Sequence, residues 1–182
     1  MSKAVLFFAD GTEECEALLV ADLLRRAKVE VIIASAMGRR ALISSHGIHL
    51  NADALAEDVD YSDVDMVILP GGIPGTPNLA ENKTVTDTCV SFARAGKKVA
   101  AICAAPFILA ELGVLEEHKA TCFPGFEKDF PSGCYCADCG VVVDGNIITA
   151  SGVGQALPFA LAILHDIAGD VAVEKVRAGI QL

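Results

Sequence analysis

Lys97-Lys98-Val99-Ala100-Ala101-Ile102-Cys103-Ala104-Ala105-Pro106 is the stretch whose reading decides the fold. Val99 to Ile102 is a short apolar run suited to a strand buried on both faces. Cys103 ends the run. Pro106 suits the first turn of a helix, because it has no N–H to leave unpaired and its φ is already helical. The mostly apolar Phe107 to Leu112 continues that helix. A buried strand turning sharply into a helix belongs to a parallel sheet between helical layers, and it holds its corner side chain out at the sheet's carboxyl edge. The helix's first N–H groups and its dipole stabilise a thiolate there, the reactive form of cysteine. Free cysteine is also among the most buried residue types. Spacing leaves a reactive and a structural Cys103 both open, since exposure and a lowered pKa are what separate them.

On either side of this elbow the chain alternates strands and helices. Lys3 to Ala9 is an apolar run of strand length, Asp10-Gly11 marks its turn, and Thr12 is placed to cap a helix running to about Ala27. Ala17, Val20, Ala21 and Leu24 put an apolar stripe along that helix, and Arg25 and Arg26 sit in its last turn, where cations suit the dipole. Glu30 to Ser35 reads as the second strand. Pieces around Ala41 to Ser44 and Ile48 to Asn51 form a side hairpin, and Asp65 to Leu69 is a buried strand running into Pro70-Gly71-Gly72. That turn exposes backbone N–H groups to close approach, although Pro-Gly-Gly also makes an ordinary tight turn. Thr84 to Ala95 reads as a helix ended by Gly96, Lys119 to Phe123 as a strand, and Phe126 to Phe130 as one helical turn. Val141 to Val143 and Ile147 to Ala150 pair as a hairpin around Asp144-Gly145-Asn146. Gly152 and Gly154 open a long helix to about Ile167, with Pro158 tolerated in its first turn, and Asp170 to Ala178 closes the chain as a short helix. The pattern predicts one α/β domain over residues 1–182: a flavodoxin-like three-layer sandwich with a mostly parallel central sheet and a small side hairpin. Three corners, at Asp10 to Glu16, at Pro70 to Gly72 and at Cys103, then lie at the carboxyl edge where such sheets bind ligands. Their convergence favours a catalytic Cys103.

Composition narrows the function. With 53% hydrophobic residues and a mean hydropathy of +0.48, the 182-residue chain buries a substantial core and is not a disordered segment. Its net charge of −10 argues against nucleic acid or an anionic membrane as the main partner. No stretch approaches the roughly 18 uninterrupted apolar residues of a membrane helix, and the N-terminus shows no signal-peptide cleavage pattern, so a cytoplasmic location is expected. Seven cysteines without an export signal point to reduced thiols, a metal site or redox chemistry rather than a disulfide framework. Cys134, Cys136 and Cys139 with Cys122 would supply four thiolates to zinc, but Cys136 and Cys139 form the only C-x-x-C pair, and the expectation is ordinary thiols with no metal and no cofactor. Cys89 reads as packing.

Glu13, Glu14 and Glu16 crowd the start of the first helix, where carboxylates favour the dipole. A thiolate beside a glutamic acid kept protonated by apolar surroundings gains an O–H···S hydrogen bond, and spacing leaves open which glutamate supplies it. Cys15 stands next to Glu16, in position to resolve an oxidised Cys103.

Gly11-Thr12-Glu13-Glu14-Cys15-Glu16, Leu69-Pro70-Gly71-Gly72, Ala100 to Pro106 and Ser151-Gly152-Val153-Gly154 occur in the order found in the ThiJ/PfpI superfamily. The chain resembles the branch of the human parkinsonism-associated protein and its bacterial ThiJ-like relatives nearly end to end. That resemblance implies the flavodoxin-like fold, a homodimer, Cys103 as nucleophile, Glu16 as the protonated glutamate on its sulfur, and the N–H groups of Gly72 and Ala104 as oxyanion donors. It implies glutathione-independent glyoxalase or protein deglycase chemistry on methylglyoxal, glyoxal or their adducts. The alternative is a redox-sensing, stress-protective, chaperone-like protein with an oxidisable Cys103. Three positions depart from the pattern. Ala104 stands where the protease-like branch has a histidine, Cys122 and Phe123 stand where many members have one, and His46 replaces an arginine that helps bind an anion at the dimer interface. None of His46, His49, His118 and His165 is an evident substitute, which argues against a Cys-His-acid triad and against peptide hydrolysis.

Overall fold

The computed structural model describes residues 2–182. The strands are β1 (Lys3–Phe8), β2 (Glu30–Ser35), β3 (Ala41–Ile43), β4 (His49–Asn51), β5 (Ala54–Leu55), β6 (Met66–Leu69), β7 (Lys98–Ile102), β8 (Val141–Asp144) and β9 (Ile147–Ala150). The helices are α1 (Glu14–Arg26), α2 (Gly75–Glu81), α3 (Lys83–Arg94), α4 (Pro106–Glu111), α5 (Ala156–Ala168) and α6 (Asp170–Gly179). Seven strands form one sheet in the order β5-β2-β1-β6-β7-β9-β8, parallel throughout except for the β8–β9 hairpin, while β3 and β4 pair apart from it. Its inner order, β2-β1-β6-β7-β9, is the flavodoxin-like winding that the sequence predicts.

β1 shows why the sheet must be covered on both sides. Ala4, Leu6 and Phe8 pack with Val20 and Leu24 of α1, Phe159 and Ile163 of α5 and Val176 of α6, whereas Val5 and Phe7 pack with Leu79 of α2, Phe92 of α3 and Ile108 of α4. All five of these β1 residues are fully buried, as an apolar run with period-two alternation between two helical layers requires. Among the described residues no helix is long and apolar enough to cross a membrane.

Three local expectations are corrected, and one helix is added. Thr12 does not cap α1: its Oγ1 accepts from the Ala9 N–H (3.0 Å), and Glu13 caps instead, its carboxylate accepting from Glu16 N at 2.7 Å. Lys119 to Phe123 is no strand, because a single bridge, Ala120 with Tyr135, is all its ladder. Lys119 N donates to Asp144 Oδ2 (2.7 Å), Thr121 N to Thr149 Oγ1 (2.9 Å) and Phe123 N to the Cys103 carbonyl (2.8 Å). Phe126 to Phe130 forms turns, held between Gly125 at φ +99° and Pro131, too short a span to establish helical bonding. Helix α2 is unforeseen, its Gly-Thr-Pro-Asn opening masking it as loop.

Candidate active site

Three loops converge where the parallel strands end. The loop after β6 lies backbone to backbone on the loop after β1: Glu13 N donates to Gly71 O at 2.9 Å, and a Cβ on Gly72 would fall 2.5 Å from Glu13 N and 2.6 Å from Gly11 O. Gly72 also takes φ +97°, so glycine is required there on both counts. Gly71 is the pivot of the site. A Cβ on it would stand 2.6 Å from Cys103 Cβ and 2.9 Å from Glu16 Oε2, which places this glycine between the thiol-bearing residue and the carboxylate.

Cys103 occupies the elbow between β7 and α4 in the left-handed region, at φ +63°, a conformation that costs a residue with a Cβ about 1–2 kcal/mol. Two main-chain bonds hold it. Its N–H donates to Ala150 O (2.9 Å) and its carbonyl accepts from Phe123 N (2.8 Å). The half-buried thiol faces the backbone N–H groups of Ala104 and Gly72. Glu16, fully buried in the first turn of α1, accepts from Gly71 N through Oε2 at 2.8 Å, and its Oε1 has no hydrogen-bond partner.

Burial pushes the Glu16 carboxyl up to about 7, against the Gly71 and Cys103 hydrogen bonds that favour its ionised form. Burial likewise pushes the Cys103 thiol up to about 12; the Glu16 charge adds to the rise, and the Ala104 and Gly72 N–H groups oppose it. Burial is the main cause of both rises, and the Glu16 charge adds only to that of the thiol. Between its first and second ionisations the pair carries a single negative charge, and in the form with the proton on Glu16 the two N–H groups face a thiolate. Helix α4 has six residues, so the nearby N–H groups, more than a long helix dipole, provide the local positive field.

The sequence reading of Cys103, Glu16, Gly72 and Ala104 as neighbours agrees with this geometry. It passes over Gly71, whose signal was present in the Gly-Gly pair. His46 sits outside the Cys103 cluster: its Nδ1 pairs with Glu14 Oε1 at 2.8 Å, and Ser45 Oγ donates to Glu14 Oε2 at 3.1 Å. Burial would raise the Glu14 carboxyl, but hydrogen bonds from its own N–H, Ser44, Ser45 and His46 prevail and bring it down to about 2. Glu13, Glu14 and His46 hold ligand-capable atoms within 4.8 Å of one another, the one such group among the described residues, and its carboxylates already serve as helix cap and ion-pair partner. The four cysteines considered for zinc are dispersed in character: Cys122 and Cys134 are buried, Cys136 is half-buried and Cys139 exposed, all as free thiols. Cys15 is exposed, and the Glu13 charge, then burial, raise its thiol. His118 lies 3.8 Å from Asp144 and His165 3.1 Å from Asp170, so neither serves Cys103.

Comparison with known proteins gives the same picture over the whole chain. The chain is 37% identical over 182 residues to Protein dj-1beta of Drosophila melanogaster, covering 99% of this chain and 97% of that one. It is 30% identical over 169 residues to a Caenorhabditis elegans protein named glutathione-independent glyoxalase DJR-1.2, covering 92% and 89%. The solved structure of oxidized Toxoplasma gondii DJ-1 superposes with a TM-score of 0.94 at 31% identity, covering 100% of this chain and 98% of that one. The sequence profile of the DJ-1/PfpI family matches residues 2–166, and with relatives of this identity across nearly its full length, the chain belongs to the DJ-1/PfpI family.

Proposed function

We propose that this protein is a glutathione-independent glyoxalase, or a deglycase working by the same addition step, with Cys103 as nucleophile and Glu16 as proton shuttle. The observation that carries the reading is the fully buried Glu16 carboxyl, titrating at about 7 beside a cysteine held on a strained elbow. A general acid and base works best when its pKa lies near the working pH. The Cys103 sulfur attacks the aldehyde carbon of methylglyoxal, a C–S bond forms, and Glu16 gives its proton to the new alkoxide, leaving a hemithioacetal. The Gly72 and Ala104 N–H groups stabilise the oxyanion on the way. Glu16, now a carboxylate, takes the proton from the former aldehyde carbon and returns it to the neighbouring carbon, so the adduct becomes the thioester of a 2-hydroxy acid. Water cleaves that thioester, releasing lactate and restoring the thiol. The sum is methylglyoxal plus water giving lactate, with no external oxidant or reductant. Phe123 replaces the site histidine of many relatives, and a Cys103–Glu16 pair without imidazole suits an aldehyde better than an amide, whose amine leaving group needs a separate proton donor.

Purified protein incubated with methylglyoxal in glutathione-free buffer tests the reading. Lactate formation is expected from the wild type, loss of at least about a thousandfold in Cys103→Ser and a hundredfold or more in Glu16→Gln, the usual scale for a nucleophile and a general acid–base. Aldehyde loss without lactate overturns it.

The half-buried exposure of Cys103 supports a second reading, a redox sensor. A Cys103 sulfinate would accept from the same two N–H groups and from protonated Glu16. Peroxide oxidation of Cys103 in a protein that makes no lactate selects it. We further propose a homodimer. Leu18 of α1, Ile43 of β3 and Ile48 are exposed apolar side chains, and bonds from Gly11 N to Ile43 O and from Ser45 N to Thr12 O fix the β3–β4 hairpin beside the start of α1. These side chains give a second copy an apolar face to cover.

A further inference from the structure

Three large apolar side chains stand in solvent on the segments that meet at the Cys103 elbow. Ile73, 57% exposed, follows Gly72, whose N–H faces the sulfur. Phe123, 49% exposed, donates its own N–H to the Cys103 carbonyl at 2.8 Å. Val153, 52% exposed, follows Gly152, where a Cβ would meet the Phe123 ring edge at 3.3 Å. They come from three segments far apart in sequence: the β6–α2 loop, the stretch after α4, and the β9–α5 connection. Exposed apolar side chains scattered singly are normal, but several gathered at the mouth of a reactive group mark a binding surface.

The ring of Phe123 is braced. Gly152 leaves space against its edge, and Phe126 meets it edge to face, with centroids 6.4 Å apart and planes at 73°. A braced aromatic wall keeps its geometry for a ligand at little entropic cost. The electrostatics agree. The ionisable side chain that acts on the Cys103 thiol is Glu16, whose charge raises it. A carboxylate or phosphate on the substrate would face the acid that shuttles the proton.

Resting on the glyoxalase-type reading above, we propose that the substrates are 2-oxoaldehydes with a neutral, apolar substituent, aryl or branched alkyl, seated against Phe123, Ile73 and Val153, in preference to methylglyoxal and to anionic aldehydes. Phe123 is the specificity-determining residue. The chemistry is unchanged: phenylglyoxal plus water gives mandelate, through the same thioester and the same proton transfer by Glu16.

The test compares kcat/KM for phenylglyoxal and for methylglyoxal, with 4-carboxyphenylglyoxal as the anionic 2-oxoaldehyde, in the wild type, Phe123→Ala and Phe123→Leu. The wild type is expected to favour phenylglyoxal over methylglyoxal about tenfold or more, mainly through KM, since an apolar contact of this size discriminates on that scale. The ratio should fall toward unity in Phe123→Ala and recover in part in Phe123→Leu. A wild-type ratio of one or less, a ratio untouched by Phe123→Ala, or turnover of 4-carboxyphenylglyoxal on a par with phenylglyoxal overturns the inference. Protection of Cys103 from iodoacetamide, followed by mass spectrometry, runs alongside. Stronger protection by phenylglyoxal than by methylglyoxal supports the apolar rim even where no acid forms, and that pattern counts against the glyoxalase reading alone. Equal protection overturns the rim.

Discussion

At Glu16 a single side chain links stability to chemistry. Its carboxyl goes from an ordinary 4.5 to about 7 on folding, so between those pH values the unfolded chain gives up a proton that the folded one keeps. Stability from this group is full below about pH 4.5 and declines as pH rises through 7, by on the order of 3 kcal/mol in all. Thermal unfolding of wild type and Glu16→Gln across pH 4 to 8 checks this: the wild type should lose stability relative to the variant as pH rises, and parallel curves would contradict the assignment. At Gly71 the constraint is space. Gly71→Ala puts a methyl group 2.6 Å from Cys103 Cβ and 2.9 Å from Glu16 Oε2, so the pair must separate. The expected outcome is a destabilisation of about 1–3 kcal/mol by chemical denaturation together with loss of lactate formation. Cys103 and Glu16 were legible in the sequence because a strand-to-helix corner and a family motif single them out. Gly71 was not, because a residue whose role is to have no side chain differs from a turn glycine only once its neighbours are known. The ion pair of Glu14 with His46 was hidden for a different reason, 32 residues of separation along the chain.

Among elements, those set by their own residues were read correctly and those set by neighbours were not. β1, β2, β6, β7 and the β8–β9 hairpin are apolar runs or carry their own turn, and each lies within a residue or so of its expected bounds. The segment from Lys119 to Phe123 has strand-like composition, yet its N–H groups are recruited by Thr149 and Cys103, a tertiary demand that overrides propensity. Helix α2 is the converse case: Gly75 and Pro77 weaken it locally, and its seat on the β1–α1 loop stabilises it. A Cβ at Gly75 would run into the backbone of Thr12, and Asn78 Nδ2 donates to Asp10 O at 2.9 Å. Gly75→Ala should therefore part the two loops, lowering stability by about 1–3 kcal/mol and lactate formation with it, while far-UV circular dichroism keeps its native shape. An unaltered rate in that variant would show that the loop contact does not position Glu16.

For the molecule as a whole, the winding order and layering followed from the alternation of buried runs and helices, and the structure has them. Assembly did not follow from the residues, since apolar side chains such as Leu18 and Ile48 look in sequence like any helix or loop position. Sedimentation velocity should find a dimer, and Leu18→Asp with Ile48→Asp should shift it to monomer; a monomeric wild type would remove the proposed interface. The left-handed backbone at Cys103 has a further consequence, at the level of selection rather than catalysis. At an ordinary position alanine outlasts glycine by about 0.5–1 kcal/mol, but at φ +63° the order reverses. Cys103→Gly should melt above Cys103→Ala, and a lineage that gave up the chemistry would drift toward glycine at this position. Cysteine here thus carries a standing cost in stability relative to glycine, which only a use for its sulfur would offset.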